Sequence, residues 1–153
     1  MSNAVKSFSV LHNNPFLFGP MFPAFASGLG AKKNAVLLAY LVLPFCLHSK
    51  SRIFLERANV KSSIRTMLSD RERFHGLEER IRDLTEMSNK SLQYALDIGA
   101  LIIDSELSIA VGVPWANTII VEDGVIKAAK RLGILFSPYD VPTIYRMLGI
   151  QNM

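Results

Sequence analysis

Ala35 to Leu47 is the stretch that most restricts this chain: thirteen residues without a charge, interrupted by one imino acid, Pro44. Apolar side chains on every face need protein on every face, so the run predicts a buried central element. Its length favours a helix, with a strand as the competing reading. Pro44 carries no backbone donor and its ring crowds the preceding turn. A helix here is therefore bent or stopped at Pro44, with Phe45 to His48 continuing in a new direction. As a helix the run rises only about 20 Å, against a hydrocarbon core about 30 Å thick. Lys32 and Lys33 precede it, and Lys50 and Arg52 follow it. The segment reads as core, with no membrane span expected.

Upstream, Phe16, Leu17, Phe18, Met21, Phe22, Phe25 and Leu29 recur at helical spacing. Asn14 suits an N-cap and Pro15 a first turn. Pro20 and Pro23 remove backbone donors, so the segment predicts a short or kinked helix ending at Gly28 or Gly30. Residues 1–13 read as a strand or loose arm. They carry no compact apolar stretch before a small-residue cleavage site, so no signal peptide is expected and the protein is read as cytoplasmic.

Beyond the apolar run, Ile53, Phe54 and Leu55 suit a short helix or an extended piece. Ser62 or Ser63 caps a short helix to Leu68. Leu77, Ile81, Leu84 and Met87 line one face of an amphipathic helix, with Glu78 and Arg82 outward. Ser88 or Asn89 is read as the start of a second helix. Two β-branched runs, 99–104 and 107–111, flank the polar pair Ser105-Glu106 and predict a hairpin. A helix, a second helix and then a hairpin is the order of a winged helix-turn-helix unit. A further helix runs from Ile119 to Phe136, broken at Gly133. The last, capped by Asp140 with Pro142 in its first turn, reaches Leu148. The expected fold is mainly α, with α+β detail: one compact helical domain over 1–153 containing a winged-helix-like unit. Its parts are the arm at 1–13, proline-broken apolar helices at 14–50, helices plus the hairpin at 51–111, and C-terminal helices at 112–153.

Charge is unevenly spread. Residues 50–73 hold seven bases and three acids, and residues 74–106 hold three bases and seven acids. A basic block can meet a phosphate backbone, but the plainer reading is a solvated surface. Candidate nucleic-acid contacts are Arg65, Lys127, Lys130 and Arg131.

Chemistry-bearing patterns are sparse. His12, His48 and His75 are scattered, and one cysteine, Cys46, lies inside the apolar run, so no metal cluster is expected. A thiol in that setting is a small hydrophobe with a raised pKa. Gly28-Leu29-Gly30 before two lysines lacks the phosphate-loop spacing and reads as a helix stop. Glu78, Glu79, Asp83 and Glu86 lie along a helix facing solvent, where nothing separates their pKa values for acid–base work. No catalytic residue, cofactor or small-molecule substrate is expected. His48 reads either as a cap or hydrogen-bonder, or as an interface contact.

Three motifs carry a family resemblance: Asn14-Pro15, the run Leu38 to His48 with Lys50 and Arg52, and Ala129-Lys-Arg-Leu-Gly133. With Leu148-Gly149 near the end, the sequence over residues 13–150 resembles the middle component of bacterial three-component ABC conflict systems. Lamassu-type systems share that general design. Pro20 and Pro23 depart from the unbroken first helix expected of such relatives. The resemblance implies a non-enzymatic adaptor between an SMC-like ABC ATPase and an effector, often a nuclease, in defence against phage or plasmids. DNA would be reached only through the complex. An adaptor needs apolar surface that assembly covers. Phe16, Phe18, Phe22, Phe25, His48 and Arg52 are the candidate interface residues, the phenylalanines having ordinary core as the other reading. The alternative function is a stand-alone winged-helix DNA-binding regulator.

Overall fold

The computed structural model describes residues 15–114 and 123–150. The arm at 1–13 and the expected helix start at Ile119 lie outside the described residues. The first helical segment is broken as its prolines require. Helix α1 (Pro15–Phe18) ends before Gly19-Pro20, and α2 (Met21–Leu29) accommodates Pro23 in its first turn, where no intrahelical donor is needed.

The apolar run is helical, but its break falls earlier than expected. Helix α3 (Val36–Ala39) stops at Tyr40, and α4 (Val42–Cys46) contains Pro44 in its first turn. A proline ring collides with the carbonyl four residues back, here that of Tyr40, so the α-helix lapses at Tyr40-Leu41, where the backbone stays in the right-handed region. A sharp corner follows: α5 (Ser49–Glu56) is inclined by 103° to the preceding helical stretch. Ser51, buried in the first turn of α5, donates to the Phe45 carbonyl at 2.5 Å across that corner. Among the described residues no single helix is long and apolar enough to cross a membrane.

Helix α6 (Ile64–Leu68) starts at Ser63, whose hydroxyl accepts from Thr66 N while Thr66 Oγ1 accepts from Ser63 N. This reciprocal pair satisfies two donors that a helix start leaves open. A 3₁₀ turn (Arg71–Arg73) leads to α7 (Leu77–Asp97), twenty-one unbroken residues. The expected second start at Ser88 or Asn89 does not occur. No glycine or proline lies between Leu77 and Asp97, and the buried stripe stays in phase through Leu84, Met87, Leu92 and Ala95. The hairpin is present: β1 (Leu101–Ile103) pairs antiparallel with β2 (Ile109–Val111), Ile102 opposite Ala110. It follows one continuous helix, so the helix pair expected of a winged unit is not formed from 74–98.

Helix α8 (Asp123–Phe136) runs straight through Gly133, which was expected to break it. Gly133 is there for proximity. A Cβ on it would lie 2.3 Å from the Phe25 carbonyl oxygen, and a Cβ on Gly28 would lie 2.0 Å from the Lys130 carbonyl oxygen. Helices α2 and α8 thus meet backbone to backbone. Helix α9 (Val141–Leu148) is capped by Asp140, whose carboxylate accepts from Thr143 N at 2.9 Å. It closes in a Schellman turn on Gly149 at φ 72°, with Ile150 N donating to Tyr145 O at 3.0 Å.

The core gathers on the α2–α8 contact. Phe25 and Phe45 each meet the Phe136 ring edge-on, with centroids 6.2 and 6.4 Å apart. Phe22, Leu38, Leu41, Leu43 and Ile144 are fully buried beside them. Cys46 is buried too, and burial pushes its thiol well above the ordinary range, with the Arg52 charge pulling less strongly the other way. A protonated, covered thiol is a poor nucleophile. Cys46 is therefore expected to resist a thiol reagent such as DTNB in buffer and to react fully in denaturant. Prompt reaction without denaturant would show a looser core.

Candidate functional site

An open groove of about 500 Å³ lies between α3, α7 and α9, lined by Leu37, Tyr40, Glu78, Ile81, Arg82, Thr85, Asn89, Tyr145 and Ile150. Its hydroxyls are already engaged. Tyr40 Oη donates to Asn89 Oδ1 at 2.5 Å, Tyr145 Oη to the Leu37 carbonyl at 2.5 Å, and Thr85 Oγ1 to the Ile81 carbonyl at 2.6 Å. Burial pushes the Tyr145 phenol up to about 12, so at neutral pH it keeps the proton it donates. Both tyrosines are thus fixed by their hydroxyls. Leu37, 43% exposed, stands at the rim. Ile98, Ile102, Val111 and Val113, in and beside the hairpin, are also exposed.

The first turn of α3 is held from the hairpin side. Asn34 N donates to Glu106 O at 2.9 Å and Val36 N to Leu107 O at 3.0 Å. Asp104 organises the hairpin loop by accepting from Glu106 N and Ser108 N. Leu107 and Asn34 both take positive φ, a conformation that costs a non-glycine residue about 1–3 kcal/mol and persists only where its surroundings hold it. The two donor–acceptor pairs do so here.

The aromatic anchors expected in α1 and α2 are not surface groups. Phe18 is 3% exposed, and Phe22 and Phe25 are wholly buried. They fill the space between α2 and its neighbours, so the interface expectation for them is corrected to core. Phe16 belongs to α1, and its surroundings lie outside the described residues. His48 starts α5 in extended conformation, and its Nε2 donates to the Glu72 carbonyl at 2.9 Å. With Lys50 Nζ 3.4 Å from Glu72 Oε2, it ties α5 to the 3₁₀ turn. Arg52 Nε lies 3.8 Å from Glu56 Oε1.

The basic candidates are not gathered into one site. Arg65 is exposed on α6, and Lys127 and Lys130 are exposed on α8, elements with different packing partners. Arg131 is turned inward and donates to the Glu56 carbonyl at 2.7 Å, closing the C-terminus of α5. Arg73 lies over the Phe54 ring, 4.5 Å from its centroid, and donates to Thr66 O. Sequence reasoning missed Arg80. Its half-buried guanidinium donates to the carbonyls of Pro44, His75 and Arg73, and burial lowers its pKa. Its place inside an acidic block gave no sign of this. Among the described residues no three His, Cys, Asp or Glu side chains converge as a metal site.

A family model described as ABC-three component (ABC-3C) system Middle Component 3 matches residues 2–152. The chain belongs to that family. No curated protein and no solved structure matches it. In this Middle Component 3 protein, the apolar motif from Leu38 to Cys46 is core, except for Tyr40 at the groove. His48, at the motif's end, is a tether between helices.

Proposed function

We propose that this Middle Component 3 chain is a non-enzymatic adaptor linking an SMC-like ABC ATPase to an effector of the nuclease kind, in a bacterial complex acting against phage or plasmids. The reading places it in the cytoplasm, with DNA reached through the ATPase. Family membership supports a place among other components. The observation carrying the adaptor role is the open groove between α3, α7 and α9, an apolar surface whose hydroxyls are already satisfied within the chain. Such a surface suits contact with protein.

The test is co-expression with the ATPase and effector subunits encoded beside this gene, followed by size-exclusion chromatography. Co-elution with both is expected. Elution as a lone monomer beside both partners would remove the adaptor reading. The regulator alternative has weaker support, because Leu77–Asp97 is one helix instead of a helix-turn-helix pair. Duplex DNA binding by the isolated chain with a steep salt dependence would restore it.

A further inference from the structure

Resting on the adaptor reading, we propose that the groove between α3, α7 and α9 receives an amphipathic helix of a partner subunit, apolar on the side facing the groove and basic along the edge facing α7. The first argument concerns the occupant's backbone. Every described lining residue lies on a helix or at a helix end, and among the described residues no strand edge borders the groove. An extended peptide seated there would lose water from its N–H and C=O groups and find no main-chain partner, a cost comparable to lost hydrogen bonds. The Tyr40, Thr85 and Tyr145 hydroxyls are already donating within the chain. The occupant must satisfy its own backbone, and a helix does.

The second argument concerns length. Lining residues on α7 run from Glu78 through Ile81, Arg82 and Thr85 to Asn89, one stripe of about 17 Å at 1.5 Å per residue. That matches three turns of a partner helix with anchors at i, i+4, i+7 and i+11.

The third argument concerns charge. Beside this stripe, toward solvent, α7 carries exposed Glu79, Asp83 and Glu86, and Glu78 stands on the stripe itself. Of the nearby cations, Arg80 is turned to backbone carbonyls and Lys90 sits 3.1 Å from Glu86. Arg82 alone on the stripe leaves the wall acidic. Glu79 and Asp83, four residues apart on one face, repel each other until a cation comes between them. A basic edge on the incoming helix relieves that repulsion.

The experiment uses the full chain in complex with its co-expressed neighbouring subunits. Leu37→Glu is expected to weaken the complex by about thirtyfold, as loss of an anchor residue does. Glu79→Lys with Asp83→Lys, both at exposed positions, is expected to weaken it about fivefold near physiological salt and hardly at all at 1 M, where the screening length is about 3 Å. Val60→Asp, at a fully exposed position outside the groove, is the control and leaves affinity unchanged. Circular dichroism checks that each variant is folded. A photo-crosslinker at Leu37 is expected to mark a basic amphipathic helix of a partner subunit. Marking of a second copy of this chain, or of an acidic or extended segment, overturns the proposal. So does unchanged affinity of both groove variants in a complex that still forms. Failure of the native chain to form any complex removes the adaptor reading as well.

Discussion

Gly133→Ala is expected to destabilise the chain, although alanine is the better helix former. The substitution gains about 1 kcal/mol of helix propensity. Against this, the new Cβ would lie 2.3 Å from Phe25 O and 2.7 Å from Leu29 N, both backbone atoms of another helix. Neither can swing aside, so α2 and α8 must separate and the contacts around Phe25 and Phe136 loosen. Overpacking of side chains alone costs about 1–3 kcal/mol, and a main-chain obstruction belongs at or above the upper end. The net loss is about 2 kcal/mol or more, a large share of a stability of roughly 5–15 kcal/mol. Gly28→Ala, facing Lys130 O, should behave alike. Gly124→Ala is the informative contrast, because its Cβ meets the movable end of the Glu56 side chain. That variant is expected to stay within about 1 kcal/mol of the native chain. Urea midpoints decide the matter, and a Gly133→Ala protein more stable than its parent would mean that the two helices pass less closely.

Phe25→Ala is expected to cost about 3–5 kcal/mol, the usual range for emptying a buried phenylalanine site. Phe25 is wholly buried and stacks edge-on against Phe136, which also holds Phe45. Its removal opens a cavity at the meeting point of α2, α4 and α8, where the main-chain contact limits collapse. Phe22→Asp is harsher, because a carboxyl would enter a site without polar partners. Thermal unfolding and near-ultraviolet dichroism report both. A folded Phe22→Asp protein that merely lost its partners would return α2 to the surface.

Much of the architecture was legible because some residues admit one local solution. Asp140 followed by Pro142 specified a helix start, Ser62 or Ser63 another that the fold places at Ser63, and two β-branched runs about a polar pair specified a hairpin. The aromatic spacing in α2 was equally visible, but phenylalanine serves core and interface by the same burial, so the sequence left both open and the fold chose core. Gly133 misled because a helical glycine looks the same whether it ends a helix or lets another approach. Pro44 predicts a bend or stop; the helix lapses four residues before it, where its ring reaches, and the sharp change of direction comes after Cys46. Ser88 was overread as a start, since serine interrupts a helix only when neighbouring residues also favour a turn. The groove could not be read at all. Leu37, Thr85 and Tyr145 come from three distant parts of the chain and follow no shared spacing, and only packing joins them.

The bonds from Asn34 and Val36 to the hairpin loop join residues about seventy positions apart. Closing so long a loop carries an entropic cost that must be met before the contact forms. During synthesis α3 therefore emerges well before the residues that will fasten it. Until they arrive, the wall carrying Leu37 and Tyr40 has no anchor on that side. The groove is thus a late product of folding, complete only when most of the chain has left the ribosome.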